Sequence, residues 1–303
     1  MQFSWQYKGT EPKILRSFIK ECGVSKQLLA KIKFQGGKIE VDHIERNVLY
    51  QIQPSETLTL TIADEKEHET MKSDDTQIEI IYEDEHLLVV NKPANVSSIP
   101  AQYHPNGTMA NRVKAYYKRQ NYPNQVIHLV TRLDRDTTGI MLFAKHGFAH
   151  ARMDAELREK RVEKMYQAIV SGEVENLEAR SSIIAPISRD SDSLLKRKVD
   201  QMGKFAHTDY VLDKRNHEIA LVDITLHTGR THQIRVHFEH LGCSLIGDDM
   251  YHGRMDLGMT RQALHCRKLA FIHPFTKKFL VFEQELPEDM FNIAKTILEM
   301  PLK

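Results

Sequence analysis

Two runs far apart in the chain carry the residue types from which a reaction centre can be built: VTRLDRDTTG at residues 130–139 and TGRTHQIRVH at residues 228–237. The first sets a carboxylate, Asp134, just before a polar turn closed by Gly139. The second offers a guanidinium, Arg230, at the head of an apolar stretch that reads as a strand. A carboxylate that attacks carbon must stay ionised in a dry pocket, and an arginine within hydrogen-bond reach lowers its pKa by about one to three pH units. The same residues also read more simply, Asp134 as a turn cap and Arg230 as half of a surface salt bridge. Asp134 and Asp136, two apart, would share one strand face at about 7 Å, a spacing open to a glycosidase pair. Alternatively, Asp136 bonds the amides of its own Asp-Thr-Thr-Gly turn.

Other residues admit two readings as well. Tyr166 lies in the apolar run EKMYQAIVSGEV, where its ring either packs in a core or lines a pocket floor. The run LLKRKVDQMGK, with Lys196, Arg197, Lys198 and Lys204, is a solvated loop or a phosphate-contact surface; Lys26, Lys31 and Lys33 would be its second half. Sixteen histidines invite a metal, with His237 and His240 at i, i+3 and Asp248 and Asp249 nearby. No HExxH or matching ligand set occurs, and His232 and His237 would face opposite sides of a strand, so no metal site is expected.

These groups must be positioned by a chain of 303 residues, enough for about two domains. With 42 basic against 41 acidic residues the charge is nearly balanced, which excludes a grossly polybasic nucleic-acid binder but not a local positive cleft. Three cysteines without CxxC spacing indicate neither a disulfide framework nor a thiolate zinc site. No stretch approaches the ~18–20 apolar residues of a membrane span, and the start MQFSWQYKGTEPK has no export core. A cytoplasmic protein with no membrane partner is expected.

Within residues 1–65, the segment 12–62 reads as a compact module. Pro12 opens a helix with apolar positions Ile14, Leu15, Phe18, Ile19 and Cys22, and Ser25 caps a second with Leu28, Leu29 and Ile32. A Gly36-Gly37 turn leads into KIEVD, and TLTLTIA alternates as a half-buried strand. Residues 66–77 carry almost no large apolar side chain and read as a solvated linker. Residues 78–303 read as strands interspersed with helices: paired strands in IEIIYEDEHLLVVNKP, helices over MANRVKAYYKRQN, from Phe148 to about Lys160 and over 288–299, and strands over MYQAIVSGEV, HTDYVLDKR, EIALVDITLHTG and HQIRVHF. The pattern predicts an α+β, mixed α/β domain with a large, mainly antiparallel sheet.

The runs IIYEDEHLLVVNKP, TRLDRDTTGIMLFAK, VEKMYQAIVSGEV, IIAPISRD, TGRTHQIRVHFEHLGCSLIGDDMY and LHCRKLAFIHP stand in an order that resembles the RluA-type pseudouridine synthases over nearly all of residues 78–303. Residues 12–62 look like the alpha-L RNA-binding domain of the small-subunit ribosomal protein type. The resemblance implies isomerisation of uridine to pseudouridine in structured RNA, ribosomal RNA first and transfer RNA second. Asp134 would be the catalytic aspartate, Arg230 its basic partner and Tyr166 the tyrosine against the target base. Arg132, Leu133, Thr138, Gly139, His232 and Ile234 would contact the substrate, and the basic residues named above the RNA backbone. The resemblance implies RNA rather than DNA as partner, neither a metal nor an organic cofactor, and, as the simplest state, a monomer. Two positions depart from the family pattern: Thr131 stands where a histidine is usual before Arg-Leu-Asp, and Asn95-Val96 where Gly-Leu follows Lys-Pro-Ala.

Overall fold

The computed structural model describes residues 1–65, 71–101, 105–193 and 195–299. Its centre is a ten-stranded sheet in the order Arg180–Ile184, His207–Arg215, Ile219–Leu226, Glu163–Ser171, Leu264–Ile272, Thr138–Ala144, Leu87–Lys92 and Glu79–Glu83, with Phe279–Glu283 paired to Leu264–Ile272 and His128–Leu129 to Thr138–Ala144. All these ladders are antiparallel except one. Thr138–Ala144 runs parallel to Leu264–Ile272, pairing Thr138 with His265 and Gly139 with Cys266. Gly139 is required there: its φ is +111°, and a Cβ would stand 2.3 Å from the Cys266 carbonyl oxygen. Thr138–Ala144 is buried along its whole length, as a central strand covered on both faces must be.

Six α-helices flank the sheets among the described residues: α1 Leu15–Glu21, α2 Lys26–Phe34, α3 Met109–Arg119, α4 Gly147–Arg158, α5 Gln233–His240 and α6 Glu288–Glu299. Ser25 caps α2 by accepting from the Leu28 amide, and Thr108 and Asn111 form a capping box on α3. The mixed α/β class agrees with the expectation, but several elements differ. The α1 helix begins at Leu15 because Lys13–Ile14 pairs first with Gln51–Ile52. The segment Gln2–Gln6, which carries no strong sequence signal, adds a strand beside Thr57–Thr61.

HQIRVHF is a helix, not a strand. Ile234, Val236 and Phe238 alternate as in a strand, yet every residue from Gln233 to Phe238 is buried, and a helix covered on all sides shows no amphipathic period. Residues 71–77 of the expected linker are fastened to α3: Asp74 pairs with Arg112 at 3.4 Å, and Asn111 Nδ2 donates to the Lys72 carbonyl at 2.6 Å. The remainder, residues 66–70, lies outside the described residues.

The N-terminal elements hold their own hydrophobic cluster, including Leu15, Ile19, Ile32, Ile52, Leu58 and Leu60, but Phe148 of α4 belongs to it too. Phe3 meets Phe148 edge-on at 5.0 Å and stacks with Phe275 at 5.4 Å. Arg152 donates to the Cys22 carbonyl at 2.7 Å, and Glu65 accepts from the Gly147 amide at 3.1 Å. No helix is long and apolar enough to cross a membrane among the described residues.

Candidate active site

Asp134 sits on the loop that enters the central strand Thr138–Ala144, and its peptide is held from both sides. On one side, Ser98 Oγ donates to the Leu133 carbonyl at 2.6 Å and accepts from the Leu133 amide at 3.1 Å. On the other, the fully buried Lys92 donates to the carbonyls of Pro93, Val96 and Arg135 at 2.7–2.8 Å. Burial pushes the Lys92 amine down to about 7, while three carbonyl acceptors suit an ammonium with three N–H donors. The Thr137 amide then donates to the Asp134 carbonyl at 3.2 Å and closes a turn. Backbone fixed in this way holds the carboxylate in place ahead of any contact with a ligand.

The cation beside Asp134 is Arg235 of α5, whose Nη1 stands 3.6 Å from Asp134 Oδ2. Arg235 is itself fixed by a bidentate pair with the buried Asp248, at 2.6 and 2.7 Å. Burial opposes its charge, but the hydrogen bonds and charge of Asp248, with Asp134 behind them, raise the guanidinium pKa. At 3.6 Å the contact with Asp134 is electrostatic rather than a hydrogen bond, which leaves the carboxylate oxygens able to engage another group. Arg230, expected in this place, is not there: it is exposed, and its Nε donates to the Phe205 carbonyl at 2.9 Å. The correction follows from the helix, because α5 turns Arg235 toward Asp134 while Arg230 remains on the preceding loop.

His232 takes left-handed backbone angles, φ 58° and ψ 21°, at the mouth of α5. The Arg197 amide donates to Tyr251 Oη at 2.9 Å, and the same hydroxyl shares a hydrogen bond with His232 Nδ1 at 2.8 Å. His232 Nε2 faces Asp134 Oδ2 at 4.0 Å. Burial lowers the His232 pKa, against the pull of Asp134. Tyr166 lies in the adjoining strand, only 5% exposed. A bulge places it opposite Cys266, with Arg267 left unpaired, and this re-aims the side chain. Burial raises its pKa well above the usual phenol value; the neighbouring Cys266 and Asp134 push the same way.

Of the other expected contact residues, Arg132 is exposed, while Leu133 and Ile234 are core side chains. Thr138 Oγ1 bonds His265 Nδ1 at 2.8 Å, and Gly139 keeps the strand close to Cys266. The two departures from the family pattern have structural accounts. Thr131 is buried and accepts from the Leu142 amide at 2.9 Å. Asn95 adopts φ 61°, a left-handed position that suits glycine and that asparagine tolerates. Asp136 does not cap its turn through Oδ1, which is buried without a hydrogen-bond partner among the described residues. Asp134 and Asp136 lie in a turn, not on one strand face.

The basic run divides. Lys196 pairs with Glu239 at 3.3 Å and Lys198 with Asp190 at 3.3 Å. Arg197 and Lys204, with Arg189 and Arg230, line a cleft of about 480 Å³; the Nη1 end of Arg197 is buried and has no hydrogen-bond partner among the described residues. Lys26, Lys31 and Lys33 are exposed on α2, and Lys31 lines a wider cleft of about 920 Å³ between α2 and α4. The grouping of His237 and His240 with Asp248 and Asp249 does not form a metal site. His237 is buried on Thr208 Oγ1 and the Ala185 carbonyl, and Asp248 is taken by Arg235. Arg235, Tyr251 and Lys92 carry no separate signal in the sequence, although Arg235 lies five residues beyond Arg230 in the same run; Asp248, which reads there as a candidate metal ligand, is the anchor of Arg235 instead.

Residues 86–240 match the family described as RNA pseudouridylate synthase. The RNA pseudouridine synthase YjbO of Bacillus subtilis is 40% identical over 282 residues, which cover 93% of this chain and 98% of that one. Ribosomal large subunit pseudouridine synthase D of Pseudomonas aeruginosa is 39% identical over 71% of this chain and 70% of that one. The solved structure of human RNA Pseudouridylate Synthase Domain Containing 4 superposes with a TM-score of 0.59 at 22% identity, over 74% of this chain and 95% of that one, and bears on the fold alone. With its RluA-type motifs in order, a family match over residues 86–240 and a relative matched along 98% of its length, the chain belongs to the RNA pseudouridylate synthase family and is an RNA-modifying isomerase.

Proposed function

We propose that the chain isomerises specific uridines in large-subunit ribosomal RNA, with Asp134 as the catalytic carboxylate and Arg235 as its counter-ion. The observation that carries this reading is the carboxylate itself. It is held by backbone contacts on both sides, faced by a guanidinium at 3.6 Å and left partly open. In the reaction the bond between ribose and the uracil ring nitrogen breaks, the base turns, and carbon 5 bonds to the ribose carbon, giving up its proton while the freed ring nitrogen takes one up. Asp134 acts on the ribose or the base, as nucleophile or as base. The detached uracil is its own second substrate, so atoms balance without a cofactor. Tyr166 flanks the turning base, and the target nucleotide leaves its helix at a cost of a few kcal/mol.

The ribosomal substrate is supported by relatives named ribosomal large subunit pseudouridine synthase D. Arg189, Arg197, Lys204 and Arg230 line a cleft whose positive charge suits the RNA backbone. Residues 1–65 serve as a second RNA-binding unit through the lysines of α2. The test uses ribosomal RNA and transfer RNA from cells lacking the gene, read by tritium release from uracil carbon 5 and by carbodiimide stops. Wild-type protein is expected to modify the large-subunit ribosomal RNA, and Asp134→Asn to bind it without forming product. Turnover by Asp134→Asn overturns the catalytic assignment; modification of transfer RNA alone overturns the substrate.

A further inference from the structure

We propose that His207, Asp209 and His227 form a binding site for a divalent transition-metal ion of the zinc class, structural in role and not used by the uridine chemistry. His207 opens the strand His207–Arg215, and Asp209, two residues on, shares its face. His227 follows the neighbouring strand Ile219–Leu226, and its amide donates to the His207 carbonyl at 3.1 Å, which sets the two histidines across from one another. Their Nε2 atoms converge on one carboxylate: His207 lies 2.9 Å from Asp209 Oδ1 and His227 2.6 Å from Oδ2. The two rings stack with centroids 4.2 Å apart. One ligand atom from each of the three side chains lies within 4.8 Å of the other two.

Tetrahedral zinc at ~2.0–2.1 Å from its ligands needs donor atoms roughly 3.3 Å apart, which this grouping brackets. Two imidazole nitrogens with one carboxylate suit zinc, nickel or copper; magnesium and calcium prefer oxygen alone. The side chains are partly exposed, so water can complete the shell. Ser182 Oγ donates to Asp209 Oδ1 at 2.6 Å and orients the carboxylate from outside. Burial works against the charge of Asp209, but hydrogen bonds from Ser182, His227 and His207 outweigh it and hold the pKa at about 2. On ligation each Nε2 exchanges its contact with Asp209 for the ion, to which it presents its lone pair, and Nδ1 carries the ring's proton. The site also reaches α5: the His207 amide donates to Thr228 Oγ1 at 2.9 Å, and Gln233 donates to the His207 carbonyl at 3.0 Å. An ion here fastens the loop between His227 and Gln233 at both ends.

Full-length protein stripped with chelator and then freed of it is titrated with zinc chloride by calorimetry, with magnesium and calcium chloride alongside. One zinc per chain is expected, with weakening on the order of tenfold or more in His227→Gln and in Asp209→Asn, and zinc should raise the thermal midpoint of the wild type only. A second measurement needs no variant: copper and ascorbate oxidise side chains that hold the copper, and peptide mass spectrometry should find the products at His207 and His227. Lack of stoichiometric zinc uptake by the wild type, equal binding of calcium, undiminished binding in a folded His227→Gln, or oxidation confined to other residues each overturns the proposal.

Discussion

Arg235 serves two carboxylates at once, and that division decides what its loss does. Its bidentate pair with Asp248 is buried, so truncation leaves an uncompensated anion in the interior. Arg235→Ala is expected to destabilise the fold by about 3–5 kcal/mol in urea melts, and Arg235→Ala with Asp248→Ala should recover part of that loss. Arg230→Ala, on an exposed side chain, is expected to stay within about 0.5 kcal/mol of the wild type. Equal losses from the two single variants would contradict this assignment of the ion pair. The need for an arginine near Asp134 was legible in the sequence, because an ionised carboxylate in a dry site calls for a cation. Which arginine it is depends on whether residues 233–240 coil or extend. Alternation at Ile234, Val236 and Phe238 hides that choice, since contacts on every side of α5 erase its helical signature.

The central strand and its parallel neighbour position the Asp134 loop, and their junction carries a titratable link. His265 bonds Thr138 beside Gly139, and burial, its largest influence, pushes its pKa down to about 4, with the Arg261 charge acting the same way. In the unfolded chain an imidazole takes up its proton near pH 6.5, roughly, so between pH 6.5 and 4 the unfolded state binds more protons. Stability from this group is therefore complete above about pH 6.5 and is lost as pH falls toward 4, by on the order of 3 kcal/mol. His146, pushed by burial down to about 3, acts with the same sign. Urea midpoints at pH 7 and 4.5 check this: His265→Gln should show a smaller acid loss than wild type, and an identical loss would sink the claim. Strands such as Glu163–Ser171 and helices such as α3 were legible from period and caps. The bulge that aims Tyr166 was not, because it arises from an extra residue, Arg267, on the opposing strand. An element of another kind, the pair of short strands Ile187–Arg189 and Arg197–Val199, carries Arg197 into the basic cleft. Arg197→Gln is expected to weaken RNA binding about uniformly across sequences and to reduce the slope of log affinity against log salt by about 1. An unchanged slope would remove Arg197 from the backbone path.

Near-zero net charge conceals the distribution that matters to an RNA enzyme, since Arg189, Arg197, Lys204 and Arg230 line one cleft in which, among the described residues, no acidic side chain takes part. A second feature of the whole molecule is how its N-terminal elements are joined to the larger body. A polar stretch after residue 65 reads as a solvated linker and says nothing of attachment, which depends on surface contacts made by residues distant in sequence. Phe148, on α4, is 1% exposed and sits in the N-terminal hydrophobic cluster, edge-on to Phe3 and, at 5.2 Å, to Phe275. Phe275 packs against both this cluster and the central one and so couples them: separation of either part strips the other of buried aromatic area. The wild type is therefore expected to unfold in one calorimetric transition. Phe148→Ala leaves a cavity worth about 3–5 kcal/mol at that junction and removes one of the aromatic contacts that join the parts. Its expected trace is two transitions, the smaller enthalpy belonging to the N-terminal elements. A single transition merely shifted to lower temperature would mean that polar ties such as Arg152 to the Cys22 carbonyl and Glu65 to the Gly147 amide hold the molecule together on their own.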